Sequence, residues 1–161
     1  MQIRAIREAD YFPITSVVDD WWGGRPMRGL LPRLFFQHFQ TTSFAAEDEG
    51  EIVGFLIGFV SQTDPAEAYI HFIGVHPAYR KQQVARRLYE LFFARVSECG
   101  CRTVRCITSP VNKTSIAFHT RMGFEIEPGA EEVDGIPVSP NYDGGGQPRV
   151  LFRLSLDNGK L

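Results

Sequence analysis

The segment Gly74–Phe93, GVHPAYRKQQVARRLYELFF, joins two different hydrophobic periods. Up to Pro77 the chain reads "EAYIHFIGVHP" (Glu67–Pro77), nearly all apolar, as a strand covered on both faces is. Proline brings no N–H to a ladder, so Pro77 ends it. From Val84 onward the apolar positions Val84, Leu88, Leu91, Phe92 and Val96 fall at helical spacing, while Arg86, Arg87, Glu90 and Glu98 take the opposite face. Gly100 stops this helix in the usual C-terminal place. A helix start leaves backbone N–H groups unpaired and carries partial positive charge, which suits phosphate oxygens. A pyrophosphate resting on the amides of about Gln82, Gln83, Val84, Ala85 and Arg86, with Arg80 and Lys81 nearby, is one reading; solvated basic residues before a helix are the other.

On the N-terminal side, "QIRAI" is a short strand, and Asp10 is placed to cap a helix carrying Ile14, Val17, Val18 and Trp21. "WWGGRPMRG" breaks that pattern, a second short helix covers about Leu31 to His38, and "SFAAEDEGEIVGFLIGFVSQ" alternates, turns at "DEGE" and returns as a β-hairpin. On the C-terminal side come the strand "RTVRCITS", the helix "NKTSIAFHTRMG" and the closing strands "FEIE" and "RVLFRLSL". Pro128 to Gln147, rich in Gly, Pro and acid, reads as a long functional or mobile loop. Strand, helix, strand after a hairpin makes an α/β sandwich with one parallel pair at its centre.

At 161 residues the chain has room for one core, so 1–161 is read as a single domain. A net charge of −2 offers no global basic field for nucleic acid or an anionic membrane. The N-terminus lacks the apolar stretch of a signal peptide and no apolar run approaches the ~20 residues of a membrane span, so a cytoplasmic location is expected. Cys99, Cys101 and Cys106 form neither a CxxC pair nor a four-ligand zinc set, and no metal is expected.

The strand end "V-x-P" (Val75–Pro77), followed by Arg80 and a long amphipathic helix, resembles motif A of the GCN5-related N-acetyltransferase (GNAT) superfamily, the match running from Val75 to Ala85. "NKTSIAFHTRMGFE" resembles motif B, usually Asn-x-x-Ala/Ser-x-x-x-Tyr with a Gly-Phe strand start. Together the resemblance covers about Phe44 to Glu127. It implies a mostly antiparallel mixed sheet with a central, splayed parallel pair and helices on both faces. The family's glycine in the pyrophosphate loop is Gln83 here, and glycine suits a close approach of backbone to ligand.

The resemblance implies acetyl-CoA as cosubstrate, with its pantetheine arm added like a strand along Phe72, Ile73, Gly74 and Val75, a mode that tolerates any side chain. The backbone N–H near Ile73 is the implied oxyanion donor and Asn112 the implied motif B cofactor contact, or else a plain helix cap. The implied reaction is direct attack of a neutral primary amine of a small molecule, less readily of a peptide or protein, on the thioester. His119 stands where relatives carry a tyrosine acid, and Asn112, Ser115 and His119 share a helix face. For the base, His71 on the central strand and Glu67 near its start are candidates, each with a structural alternative. The acceptor site implied by the family lies between the first helices and the last loop, where Asp19, Trp22 and Tyr142 offer an aromatic, acidic pocket for an ammonium ion. Arg25 and Arg28 offer the contrary, a receptor for a carboxylate. An acyl-CoA-binding regulatory module without turnover stays open as the alternative function, and a homodimer is the assembly such domains most often form.

Overall fold

The computed structural model describes residues 1–156, so residues 157–161 at the end of the expected domain lie outside the described residues. The chain runs β1 (Gln2–Ala5), α1 (Tyr11–Thr15), α2 (Val18–Trp21), α3 (Leu34–His38), β2 (Phe44–Asp48), β3 (Glu51–Val60) and β4 (Glu67–Val75). It continues through α4 (Val84–Glu98), β5 (Thr103–Thr108), α5 (Lys113–Met122), β6 (Glu125–Ile126), β7 (Glu131–Val133), β8 (Ile136–Val138) and β9 (Val150–Ser155). Seven strands form one sheet in the order β1-β2-β3-β4-β5-β9-β6, antiparallel throughout except for the parallel pair β4–β5.

Helices cover both faces. On one, Val84, Leu88, Tyr89, Phe92 and Val96 of α4 pack with α5 against Leu56, Val104 and Phe152 of the sheet. On the other, Ile14, Val18, Trp21 and Phe36 of the first three helices pack against Ala45, Phe55, Ile57 and Phe72. The sheet can be buried on both sides because its central strands alternate residues that each meet a covered face.

Three local expectations are corrected. The first helix is two short ones, parted at Ser16 and Val17, and the Asp10 side chain does not cap it. Asp10 Oδ2 instead accepts from the Arg7 amide at 2.8 Å, and Arg4 forks onto the same carboxylate at 2.8 and 2.9 Å. The second helix starts at Leu34, later than Leu31, because a 3-10 turn over Arg28–Leu30 precedes it and delivers Leu31 into the core. The stretch 128–147 is not all loop: β7 and β8 form a hairpin around Asp134 and Gly135, whose φ of 52° and 79° are those of a two-residue primed turn.

Candidate active site

The parallel pair β4–β5 holds for three residue pairs, Glu67 with Thr103 to Tyr69 with Arg105, and then the strands part. Beyond Tyr69, β4 stays bonded to β3 on its other edge, while β5 stays bonded to β9. The ladder phase settles which backbone groups face the gap. His76 N–H donates to Val53 O at 2.8 Å, so the pairs 53/76, 55/74 and 57/72 are the hydrogen-bonded ones. Ile73 and Val75, between them, turn their N–H and C=O away from β3 and into the split.

A β-bulge sits at the start of this stretch. Ile57 opposes Phe72 and Gly58 opposes Ile70, which leaves His71 as the extra residue. Consequently His71 and Phe72, adjacent in sequence, both meet the layer of the first helices. The His71 ring stacks on Phe35 at 4.4 Å, and Phe72 meets Trp22 at 5.1 Å. His71 Nε2–H donates to Leu30 O at 2.6 Å. Because a carbonyl can only accept, that bond fixes the proton on Nε2 and leaves the Nδ1 lone pair for another partner.

The split opens onto a cavity of about 530 Å³. Trp22, Arg25, Met27 and Leu30 form one wall, with β4 from Tyr69 to Ile73 beside them. The end of β5 with Asn112 and Ser115 forms the opposite wall, Tyr89, Cys106 and His119 the floor, and Asp143 and Arg149 the rim. Tyr89, Cys106, Asp143 and Arg149 are site residues that motif matching did not reach. Tyr89 follows Leu88 on the buried face of α4, and this helical phase is the signal that places it.

His119 does not stand as a free acid. Its Nδ1–H donates to Ser115 O at 2.7 Å, and its Nε2 accepts the Tyr89 hydroxyl proton at 2.8 Å. The ring is stacked on Phe152 at 4.8 Å, and burial pushes its pKa below the usual histidine value. Desolvation likewise raises Tyr89 and Cys106 well above their ordinary values. The floor is therefore a neutral, mutually satisfied pair. Ser115 Oγ lies 3.2 Å from the same Nδ1, so it accepts from that N–H and keeps its own proton for the cavity.

Other expected site residues take these places. Glu67 sits where β4 and β5 are still paired and faces Arg105 at 3.7 Å, outside the cavity wall; Arg105 is held chiefly by Glu127 at 2.8 Å. Asp19 Oδ1 accepts from the Met27 and Arg28 amides at 2.8 and 2.9 Å, so this carboxylate pins the Gly23–Arg28 turn rather than lining the cavity. Trp22 does line it, whereas Trp21 is core. Tyr142 is exposed beside the rim, and its neighbour Asp143 is the residue that reaches the cavity.

At the start of α4, Gln83 adopts the left-handed conformation, φ 63° and ψ 19°. That is the conformation in which glycine carries no penalty. Gln82 N–H already donates to Tyr79 O at 3.1 Å, which leaves the amides of Gln83, Val84, Ala85 and Arg86 as the first-turn donors. Arg80 points away from them: its Nη2 donates to Trp21 O and its Nε to Val75 O at 3.2 Å. Lys81 is exposed beside the loop. Asn112 Oδ1 accepts from Ser115 N–H at 3.1 Å and so caps α5 from the cavity wall.

The family model described as acetyltransferase (GNAT) family matches residues 6–124. The chain belongs to that family. It is similar to the L-2,4-diaminobutyric acid acetyltransferase of Nocardia farcinica, 30% identical over 85 residues, which are 53% of this chain and 44% of that protein. The match thus spans less than half the length of that relative. Among solved structures, an acetyltransferase from Salmonella typhimurium with its cofactor acetyl-CoA superposes with a TM-score of 0.72 at 17% identity, covering 99% of this chain and 96% of that one. An aminoglycoside 6'-N-acetyltransferase complexed with coenzyme A gives 0.70 at 16% identity, covering 97% of each. These structures share the GNAT fold with the chain. Among the described residues no helix is long and apolar enough to cross a membrane, and no group of three His, Cys, Asp or Glu side chains is arranged to hold a metal.

Proposed function

We propose that the protein is an acetyl-CoA-dependent N-acetyltransferase acting on the primary amine of a small molecule, with 1–161 as its catalytic unit. The observation that carries this is the parting of β4 from β5 over a cavity that holds both an oriented histidine and inward-facing strand amides. The backbone edge of Ile73, with the Val75 N–H beyond it, suits the amide groups of a pantetheine arm, which adds as a strand; the Val75 carbonyl already accepts from Arg80 Nε. The first-turn amides of α4 suit the pyrophosphate, with Lys81 as the nearby cation and Arg80 as a strut between β4 and α2. The relative that acts on a diamino acid supports a small amine as acceptor.

In this reading His71 Nδ1 takes the proton of the acceptor ammonium, and the freed amine lone pair attacks the thioester carbonyl carbon. The C=O π pair moves onto oxygen, where the Ile73 N–H stabilises it. As the tetrahedral intermediate collapses, the C–S bond breaks with its electron pair moving to sulfur, and the second amine proton passes to that sulfur, so that CoA leaves as the thiol. Ser115 Oγ–H is the hydrogen-bond donor for that sulfur, and His119 is a positioning residue that orients Ser115 from below.

The test is acetyl-CoA binding by calorimetry, then thiol release across a panel of amines, amino acids and peptides. Saturable binding with thiol release for one class of small amine is the expected result. Binding without release on any amine would sink the enzyme and leave the acyl-CoA-binding module standing.

A further inference from the structure

The charged side chains lining the cavity are two arginines and one aspartate. Of the carboxylates near the acceptor side, Asp19 is spent on two backbone amides and Asp20 lines a separate groove with Arg4 and Arg7. Asp143 is the acid in the cavity lining, at its rim, and it is held by Arg149 Nε at 3.1 Å. Two guanidiniums, Arg25 in the wall and Arg149 at the rim, therefore line the cavity with one carboxylate that is already paired. Among the described residues the Arg25 guanidinium has no ion-pair or hydrogen-bond partner. The backbone that carries this exposed side chain is braced: Arg25 N–H donates to Trp22 O at 3.3 Å, Asp19 pins the amides of Met27 and Arg28, and Arg80 Nη2 holds Trp21 O.

From this arrangement we infer that the acceptor carries a carboxylate as well as its amine, and that Arg25 receives it. This rests on the acetyl-transfer reading of the same cavity and names the acceptor's class, a small amino acid or amino-acid-like zwitterion. A guanidinium presents two parallel N–H groups that match a carboxylate. With its carboxylate on Arg25, such an acceptor lies along that wall with its amine toward His71, which lines the cavity from the neighbouring β4. A polyamine, by contrast, brings a second ammonium against two arginines with no unpaired carboxylate to meet it.

Three acceptor pairs that differ by the carboxylate alone test this: 2,4-diaminobutyrate with 1,3-diaminopropane, ornithine with 1,4-diaminobutane, and lysine with 1,5-diaminopentane. Each is titrated by calorimetry into the intact protein saturated with CoA, and each is assayed for thiol release from acetyl-CoA. For at least one pair the carboxylate-bearing member should bind at least about tenfold tighter, the scale of a charge-assisted bidentate contact. Arg25→Gln should collapse that ratio through KM, Arg25→Lys should restore part of it, and Arg25→Glu should invert it. A ratio near one in every pair, no binding of any member, or a ratio that survives in Arg25→Gln and Arg25→Glu would overturn the inference. If the carboxylate preference is present in binding but no acceptor releases thiol, the acetyl-transfer reading fails while the Arg25 assignment stands.

Discussion

At His71 one hydrogen bond decides what the ring can do. Donation from Nε2 to Leu30 O is compatible with a basic Nδ1, whereas the His119 ring spends both nitrogens inside an aromatic box. His71→Gln keeps an amide N–H for Leu30 O and removes the basic lone pair. Its kcat should fall by about 10²- to 10⁴-fold with acetyl-CoA binding unchanged, the usual range for a lost general base; a kcat within a factor of three of wild type would dismiss that role. His119 matters for stability instead. Its folded pKa is lowered by burial, so the unfolded chain binds a proton that the folded one refuses. The contribution is complete above the unfolded value of about 6.5 and is lost as pH falls below it toward the folded value. Melting temperature should therefore drop from pH 7 to pH 5 more steeply in the wild type than in His119→Gln. Tyr89→Phe, which strands His119 Nε2 without a donor, should cost about 1–3 kcal/mol in denaturant titration at pH 7.

Among the elements, the start of α4 shows a sequence departure with a definite backbone cost. Gln83 holds a left-handed φ of 63°, the conformation in which glycine carries no steric penalty. An L side chain there costs roughly 1–2 kcal/mol, and glycine gives back about half of that through its freer unfolded chain. Gln83→Gly should thus stabilise the protein by a few tenths to about 1 kcal/mol and tighten acetyl-CoA severalfold, because the backbone can approach the pyrophosphate more closely. Unchanged or weaker binding would mean that the Gln83 side chain is itself a ligand contact. This is also where the sequence was most legible. Proline at 77, helical spacing from Val84 and glycine at 100 each impose a boundary through local chemistry, and the structure keeps all three. The β7–β8 hairpin was announced by Asp134–Gly135 but submerged in a stretch whose overall composition reads as loop. The bulge at His71 left no mark at all, since a one-residue slip against β3 is a tertiary event, and so the shared orientation of His71 and Phe72 was not available from alternation. Nor was the fate of Asp19 or Arg80, whose partners are backbone groups of segments folded against them.

For the molecule as a whole, the two covered faces of the sheet differ in how they are built. One carries α4, fifteen residues long, with α5 beside it. The other carries α1, α2 and α3, of five, four and five residues, each far too short to be helical without its neighbours. Their order depends on Ile14, Val18, Leu31 and Phe36 reaching the sheet, and on links such as His71 to Leu30 O and Arg80 to Trp21 O. That layer also forms the wall bearing Trp22 and Arg25, so the least self-sufficient part of the fold is the part an acceptor must pass. Native-state hydrogen exchange should accordingly show the amides of residues 11–38 opening together, at a free energy below that of β3, β4 and α4. A carboxylate-bearing acceptor bound to the CoA complex should slow exchange in residues 18–31 more than in α5, since its ligands Arg25 and His71 tie that layer to β4. Opening of both layers at one common free energy, with no extra protection of residues 18–31 by the acceptor, would show instead that the sheet and its two coverings unfold as a single unit and that the acceptor wall is rigid before substrate arrives.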